Sequence, residues 1–413
     1  MGGASLKSYE KVTGPVPISQ LGQVARELQG ARVVHVNSTR EGGGVAEILG
    51  WLVPLMNELG LEASWEVIDG HADFFNVTKT FHNGIQGQHV ALPQSMIKVY
   101  EETVASNAER LRPVLEEADF VFIHDPQPQY LLNLCPNRRG KWVWRCHVDA
   151  SHPNRKVWNY LKSLAAPYDA SIFSMPTFAQ RLDHPQFIIA PSIDPLSEKN
   201  RDLDQAEIDQ VLTRFGIDKH LPILTQISRF DRFKDPLGVI EAFQMLNGSV
   251  DAQLVLAGGG ATDDPEGAAV LEEVQDAAKD DPRIFVLMLP PDAHRVINAL
   301  QRASTIVMQK SLQEGFGLTV TEAMWKSVPV IGGNVGGIVL QVHNYHTGFL
   351  VDTPEGAALR IRELLRSPER MARMGETARK FVKHNFLLTR HLREYLTLML
   401  GVKRGLGNHL MTD

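Results

Sequence analysis

The residues best suited to chemistry form one run in the C-terminal half, residues 311–322. Glu314 precedes a glycine turn at Gly315 and Gly317, and Glu322 follows eight positions after Glu314 inside a predicted helix. The glycines let the backbone turn tightly and leave the first helical N–H groups free to bind an anion such as a diphosphate. The two carboxylates can then bind hydroxyl groups on different parts of one ligand. The structural alternative is a plain strand-to-helix connection whose helix start favours acidic residues.

A second run, residues 228–234, follows the first predicted strand of the same half and carries cations. Open α/β sheets bind ligands at the carboxyl ends of their strands. Arg229 and Lys234 can therefore neutralise a diphosphate leaving group, because a guanidinium fork matches phosphate oxygens. The alternative is a solvated basic loop, and Arg232 is predicted to be a surface charge.

A glycine-rich turn also follows the first predicted strand of the N-terminal half, at Gly42, Gly43 and Gly44. Such a turn before a helix allows close approach of an anion. As a dinucleotide fingerprint it is incomplete, since Glu47 replaces the third glycine. Asp69 ends a later strand, so a Rossmann-type dehydrogenase remains an alternative.

Polar residues follow two more strands of the N-terminal half and are predicted to line a sugar site: His124, Asp125 and Gln127, then His147 and Asp149. No G-x-S-x-G sequence supports a serine hydrolase, and the histidines lack metal-ligand spacing. The aromatic stretch 73–83 is either core packing at helical spacing or, through Asn76 and Lys79, part of an acceptor-sugar site.

The elements around these motifs alternate between short β-branched strands and helices, which is typical of parallel sheets. The predicted strands are 32–37, 63–68, 120–123, 142–145, 170–173, 187–190, 222–228, 253–257, 284–286, 305–308 and 329–332, and the chain after residues 348–350 is predicted to be helical. An acidic connection near residues 191–221 separates two series. The fold class is therefore α/β with two Rossmann-like domains, 1–215 and 216–385, and a ligand cleft between them. A C-terminal helix at 386–413 is predicted to join the first domain.

Bulk properties narrow the function classes. The 413 residues carry a formal net charge of −6 with no basic run, which argues against a nucleic-acid partner. No stretch of about 20 apolar residues predicts a membrane span, and no signal peptide is evident. The two cysteines, Cys135 and Cys146, are predicted to be reduced thiols. The expectation is a soluble, cytoplasmic enzyme.

The combined motifs resemble the family-4 retaining glycosyltransferases of the GT-B fold. Glu314 and Glu322 match that family's Glu-x7-Glu motif, and Arg229 with Lys234 match its phosphate-binding pair. Within the family, the chain is similar to the trehalose glycosyltransferring synthases over roughly residues 32–398. The similarity rests on VHVNSTREGGGVAEIL, FFNVTKTFHN, HDPQP, WRCHVD, PSIDPLSEKN and EGFGLTVTEAMWK. One departure is Asp235, which stands where the family usually has glycine; Asp235 and Pro236 are expected to begin a helix.

The resemblance implies transfer of glucose from a nucleotide diphosphate glucose, such as UDP-glucose or ADP-glucose, to free glucose, giving α,α-trehalose reversibly. It implies no metal and no cofactor. The expected partners are the nucleotide sugar and glucose or trehalose, with no nucleic acid and no membrane; a homodimer is left open. The implied catalytic residues are His147, Arg229, Lys234 and Glu314. The implied donor-binding residues are Gly43, Gly44, Arg229, Lys234, Gly315, Phe316, Gly317, Leu318, Thr319 and Glu322, and the implied acceptor-binding residues are Asn37, Asn76, Lys79, Asp125, Gln127 and Asp149.

Three alternatives remain open beside the dehydrogenase. A trehalose phosphorylase of related fold would use glucose 1-phosphate without a nucleotide, although retention of Glu322 as a ribose ligand argues against it. Another family-4 glycosyltransferase would use a different acceptor. A non-catalytic sugar-binding protein would bind without turnover.

Overall fold

The computed structural model describes residues 5–41, 43–259 and 265–405. The chain forms two compact units, one holding the residues up to Pro191 together with those from Leu388, the other holding Ser192–Leu387. Each unit contains a six-stranded parallel sheet flanked by helices. The predicted α/β class with two Rossmann-like domains is therefore confirmed.

The first unit is built on a sheet with the strand order β2-β1-β3-β4-β5-β6. Its strands are β1 Arg32–Asn37, β2 Glu62–Val67, β3 Phe120–His124, β4 Lys141–Arg145, β5 Ala170–Phe173 and β6 Gln186–Ile188. Its helices, numbered along the whole chain, are α1 Leu6–Thr13, α2 Pro15–Ala25, α3 Gly44–Glu58, α4 Ala72–Ile85, α5 Gln94–Glu117, α6 Arg155–Ala165 and α15 Leu388–Lys403.

The burial of this sheet explains its sequence. Every residue of β3 and β5 is buried, as expected for parallel strands covered by helices on both faces. Helix α3 turns one apolar stripe toward the sheet, including Leu49, Leu52 and Met56, which recur at three- and four-residue steps. The strand order changes direction between β1 and β3. Open α/β sheets bind ligands at such a switch point.

The second unit has the strand order β12-β11-β10-β7-β8-β9. Its strands are β7 Ile223–Ile227, β8 Gln253–Gly258, β9 Ile284–Met288, β10 Ile306–Gln309, β11 Val330–Gly333 and β12 Gly348–Val351. Its helices are α7 Gln205–Phe215, α8 Pro236–Gln244, α9 Pro265–Ala278, α10 His294–Ala303, α11 Leu318–Trp325, α12 Ile338–Gln341, α13 Pro354–Leu365 and α14 Pro368–Asn385.

The switch point of this second sheet lies between β7 and β10, which pair in parallel. The loops that leave these two strands carry the cationic run 228–234 and the run 311–322 respectively. Two segments separated by about eighty positions are thereby brought to the same edge of one sheet, where ligands bind.

The division between the units differs from the predicted boundary at 215/216, because the segment after Pro191 packs on the second unit. The side chain of Asn298 on α10 donates to the backbone carbonyls of Glu198 and Arg201, at 3.0 and 2.9 Å. Leu212 of α7 joins an apolar cluster with β7 and α10. The acidic connector was taken for a linker, but these contacts make it part of the second unit.

The C-terminal helix α15 belongs to the first unit, where the side chain of Arg393 donates to Gln20 on α2 at 2.8 Å. The predicted helix 386–413 extends past the described residues, which end at 405. Among the helices that the structure describes, none combines the length and the apolar character needed to cross a bilayer.

Candidate functional site

An ion pair joins the two chemically active runs of the second unit. The Nζ atom of Lys234 lies 2.6 Å from Oε2 of Glu314, and both side chains are mostly buried, at 16% and 11% exposure. The hydroxyl of Ser311 also donates to this carboxylate oxygen, at 3.3 Å. An ammonium carries three N–H donors, so after one is directed at Glu314 two are left for phosphate oxygens. The pair therefore orients a cation directly before the start of α11.

The turn that carries Lys234 is built by Asp231, whose role the sequence did not reveal. One carboxylate oxygen of Asp231 accepts from the backbone N–H of Lys234 at 3.1 Å, and the other lies 3.2 Å from the guanidinium of Arg229. The buried Gln226 at the end of β7 donates to the carbonyl of Lys234 at 2.7 Å. Arg229 itself is 67% exposed. The structure thus holds Lys234 rigidly and leaves Arg229 accessible to a ligand.

Asp235 begins helix α8, as predicted. Its carboxylate accepts from the backbone N–H of Gly238 at 3.2 Å, and Pro236 is the first helical residue. Its backbone φ is +51°, a left-handed conformation that glycine adopts without strain and that aspartate tolerates better than most residues. The buried ammonium of Lys310 pairs with the same carboxylate. The extra negative charge noted in the sequence is therefore neutralised within the fold.

A second glycine loop, 332–337, packs against the first and was not recognised from the sequence as part of the site. A Cβ atom on Gly336 would lie 1.7 Å from the carbonyl oxygen of Glu314, so no larger residue fits there. The backbone N–H of Gly337 donates to the carbonyl of Gly315 at 3.2 Å. Gly317 has φ +82° and caps α11. The pattern Gly-Gly-Asn-Val-Gly-Gly after a strand was the available signal, since repeated glycines mark close backbone approach.

Glu322 lies inside α11 and is almost completely buried. Its Oε2 atom accepts from the side chain of Gln301 at 3.2 Å, and the ammonium of Lys199 lies 3.9 Å from Oε1. The buried ammonium of Lys326 donates to Oε1 of Gln301 at 2.7 Å and to Oδ1 of Asn200 at 3.0 Å. Gln301 is thereby oriented with its N–H group toward Glu322. The sequence pointed to the carboxylate but not to the network that holds it.

Burial shifts the pKa of Lys326 far from its ordinary value, so the stability of the protein depends on the titration of this residue. Desolvation lowers the pKa of Lys326 to about 7, although the negative charge of Glu322 opposes the shift; Arg302 and Lys199 lower it further. An unfolded lysine keeps its proton up to about pH 10.4. Between these values the unfolded state binds more protons, so this residue makes the free energy of unfolding rise with pH.

We expect wild-type protein to gain at least about 1 kcal/mol of stability over Lys326→Met between about pH 7 and about pH 10. The measurement is urea denaturation of both proteins across that pH range. Lys219→Met is the matched control, because Lys219 is half-exposed and pairs with Asp209 in the same unit. A constant difference in the free energy of unfolding between wild type and Lys326→Met across this range would show that Lys326 does not titrate there.

In the first unit, the glycine turn after β1 leads into helix α3. Gly43 caps this helix with φ +82°, and Gly44 is its first residue; Gly42 lies outside the described residues. Asn37 at the end of β1 is buried, and its Oδ1 atom accepts from the indole N–H of Trp65 at 2.7 Å. The amide oxygen of Asn37 is thus already engaged within the protein.

Asp125 and His147 meet at the carboxyl ends of β3 and β4. The backbone N–H of His147 donates to Oδ1 of Asp125 at 2.7 Å, and Asp125 adopts φ +62°. Burial raises the pKa of Asp125 to about 6, although this hydrogen bond and the nearby Arg145 oppose the shift. Asp149 accepts from the backbone and hydroxyl of Ser151, at 2.9 and 2.6 Å. The amide oxygen of Gln127 is buried without a partner among the described residues.

Three histidine rings form a hydrogen-bonded series beneath this corner. Nδ1 of His35 on β1 lies 3.0 Å from Nε2 of His124 on β3, and Nδ1 of His124 lies 2.9 Å from Nε2 of His147. Burial lowers the pKa of His35 to about 3 and holds the pKa values of His124 and His147 well below their ordinary range. The three rings are therefore neutral at physiological pH. Sequence analysis missed His35, which lies in the middle of an apolar strand.

Buried Arg145 at the end of β4 adds a cation to this region, and its Nη2 atom lies 3.3 Å from the hydroxyl of Ser174. By contrast, Asn76 and Lys79 lie on the exposed face of α4, whose Phe74, Val77 and Phe81 are core residues. The core interpretation of the aromatic stretch is thus confirmed for these three residues. The acceptor role of Asn76 and Lys79 stays a prediction.

The described residues contain neither a cluster of metal ligands nor a disulfide bond. In those ranges, no group of three or more His, Cys, Asp or Glu side chains is arranged to hold a metal ion. Cys135 and Cys146 are both buried and form no disulfide.

The geometry of each unit, with its polar residues at the switch point of a parallel sheet, defines a protein of the GT-B glycosyltransferase fold. The solved UDP-forming α,α-trehalose-phosphate synthase from Burkholderia xenovorans shares that fold, with a TM-score of 0.72 and 14% identity over 91% of this chain and all of that one. Residues 35–180 match the family model "Trehalose synthase, N-terminal domain", and residues 208–381 match "Glycosyl transferases group 1".

One curated relative shows the family, and a second is more distant. The trehalose synthase of Pyrococcus horikoshii is 43% identical over 403 residues, covering 96% of both chains. A trehalose phosphorylase of Pleurotus pulmonarius is 26% identical, covering 97% of this chain and 61% of that one. The chain belongs to the trehalose synthase family of glycosyltransferases. The dehydrogenase alternative is thereby abandoned.

Proposed function

We propose that this enzyme transfers glucose from a nucleotide diphosphate glucose to free glucose, forming α,α-trehalose and the nucleotide diphosphate, with retention at the anomeric carbon and without a metal. The observation that carries the proposal is the Lys234–Glu314 ion pair at the start of α11. At this position the second unit brings a cation, a carboxylate and the first backbone N–H groups of a helix close together. This combination fits a ligand that has both a diphosphate and sugar hydroxyls.

The second unit supplies the donor site. Lys234, the exposed Arg229 and the backbone of residues 315–319 bind the diphosphate and stabilise the charge that develops on it as the glycosidic bond breaks. Glu314 binds hydroxyls of the glucose being transferred. The buried carboxylate of Glu322, oriented by Gln301, binds the ribose hydroxyls. A ribose ligand of this kind favours a nucleotide donor over glucose 1-phosphate.

The first unit supplies residues for sugar recognition. His147 and Asp125 are held together at the carboxyl ends of adjacent strands, and they bind sugar hydroxyls. The raised pKa of Asp125 reflects burial, which strengthens any hydrogen bond it makes to a hydroxyl. Asn37, Gln127 and Asp149 contribute further polar atoms for the acceptor, while Gly43 and Gly44 let the backbone of the first unit approach an anion closely.

Retention follows from entry of the acceptor hydroxyl on the face that the leaving group departs from, through an oxocarbenium-like state. No enzyme nucleophile is then needed, and the two-carboxylate arrangement of glycoside hydrolases is unnecessary. The leaving diphosphate accepts the proton of the acceptor hydroxyl. The catalytic contribution of the protein is thus electrostatic stabilisation and positioning.

The decisive assay measures nucleotide diphosphate release and trehalose formation with UDP-, ADP- and GDP-glucose, each with and without free glucose and with a chelator present. We expect glucose-dependent release with a stoichiometric amount of trehalose, unchanged by the chelator. Release without trehalose would contradict the acceptor assignment. Formation of trehalose from maltose alone would contradict the donor assignment.

Similarity to a trehalose phosphorylase supports a second candidate, phosphorolysis of trehalose to glucose 1-phosphate and glucose. The two candidates differ in whether inorganic phosphate or a nucleotide diphosphate is consumed in the breakdown of trehalose. Incubation of trehalose with each of them therefore separates the two reactions. Glucose 1-phosphate formed from phosphate alone would favour the phosphorylase.

A further inference from the structure

The three hydrogen-bonded histidine rings of the first unit extend from a fully buried ring to a ring that lies beside the residues proposed to bind sugar. His35 is completely buried; its ring stacks on Phe122 at 4.8 Å between centroids and lies 6.0 Å from the ring of Tyr395. His147 sits beside Asp125 and is only partly buried. His124 connects them through both of its ring nitrogens.

Neutral rings restrict where the protons lie. Each neutral imidazole has one N–H donor and one bare acceptor nitrogen, so both hydrogen bonds form only if the rings donate in the same direction. In the outward arrangement, His35 donates to His124, His124 donates to His147, and Nδ1 of His147 carries a proton. In the inward arrangement every proton is on Nε2, and His35 carries an N–H at Nε2.

The surroundings of His35 discriminate between these arrangements. Its Nε2 atom is buried and, among the residues the structure describes, has no hydrogen-bond partner. The inward arrangement would bury an N–H donor without an acceptor, whereas the outward arrangement leaves a bare nitrogen lone pair. Orphaned buried N–H groups are rarer in native proteins than under-satisfied acceptors, and an unsatisfied donor bears the full cost of desolvation.

We propose that His35 and His124 are positioning residues that fix the tautomer of His147, so that Nδ1 of His147 is a permanent hydrogen-bond donor to a sugar oxygen. Two hydrogen bonds, at 3.0 and 2.9 Å, transmit the preference from the buried end of the series to the ligand end. The positive charge of buried Arg145 acts on His124 and His147 and disfavours a further proton on either ring. His147 therefore donates at Nδ1 and does not serve as a general acid at neutral pH.

The sugar-binding part of this inference rests on the proposed function, but the tautomer itself does not. It is measured on the wild-type protein without substrate, by long-range ¹⁵N–¹H correlation with ¹⁵N-labelled histidine. The His147 signals are identified by their loss in His147→Ala. We expect the proton on Nδ1 of His147. A proton on Nε2 would overturn the inference, whatever reaction the enzyme catalyses.

An isosteric pair of variants tests the transmission. Asparagine at position 124 can donate to Nε2 of His147 as Nδ1 of His124 does. Aspartate has the same shape but, when ionised, can only accept. We expect His124→Asn, whose amide N–H can still donate to His147, to keep a larger share of the Nδ1 tautomer of His147 and a higher kcat/KM than His124→Asp. We expect His124→Asp to shift the proton to Nε2 and to lower kcat/KM about 10-fold, the effect of losing one hydrogen bond.

The readouts separate positioning from simple packing. Equal tautomers and equal kcat/KM values in the two variants would overturn the inference, because a merely structural role does not distinguish a donor from an acceptor of the same size. Should His124→Asp fail to fold, the wild-type tautomer still decides. A protein with the proton on Nδ1 of His147 but no trehalose formation would retain the series and refute only the proposed function.

Discussion

Replacing Lys234 with alanine is expected to lower kcat about 10²- to 10³-fold. A loss of this size is usual when one preorganised group that stabilises a developing negative charge is removed. The ammonium is oriented by Glu314 at 2.6 Å, and its backbone is held by Asp231 and Gln226. It therefore meets the leaving diphosphate without reorganisation. Steady-state kinetics with saturating nucleotide sugar and glucose measure the effect directly.

The matched control for this variant is Arg232→Ala. Arg232 belongs to the same short turn but is more than half exposed and pairs with Glu273 on α9 at 2.7 Å. It changes the net charge by the same amount at almost the same sequence position, and we expect its kcat within about 3-fold of wild type, since exposed ion pairs contribute little. A Lys234→Ala enzyme as active as Arg232→Ala would refute the phosphate-binding role.

Replacing Glu314 with glutamine is expected to lower kcat about 10²-fold. The substitution keeps the shape of the side chain but removes the charge that orients Lys234 and weakens the acceptor to which Ser311 donates. The double variant Lys234→Ala/Glu314→Gln is expected to lose less than the product of the two single losses, because contacting residues that act together are non-additive. The measurement is a double-mutant cycle on kcat.

Glu273→Gln supplies the matched control for Glu314, since its carboxylate is also paired with a cation but at the surface. We expect this variant to keep near-wild-type turnover. Losses that multiply in the Lys234/Glu314 double variant would show that Glu314 does not act through Lys234, which contradicts the orienting role assigned to their ion pair.

Local patterns in the sequence were sufficient to predict secondary-structure elements. Eleven β-branched runs predicted eleven strands of the two sheets to within a few residues. The start of α8 followed from Asp235 and Pro236. The glycine turns and the two carboxylates pointed to the candidate site, because backbone conformation and helix starts depend on residues close in sequence.

Only the tertiary structure decided which distant residues meet. Lys234 and Glu314 pair because β7 and β10 are neighbours at a switch point, and strand order is not encoded in a local pattern. The unit boundary moved to Pro191 because the carbonyls of the connector accept from Asn298, a hundred residues later.

The same reason accounts for the buried polar networks. His35, like Gln301, resembles an ordinary residue in its own strand or helix, and its partners come from other elements. Burial sets the pKa values of Lys326 and His35 by removing water, a property of the surrounding fold rather than of neighbouring residues. The sequence by itself determined the chemical groups and the local turns that present them. The packing within each unit determined which groups pair and which are buried.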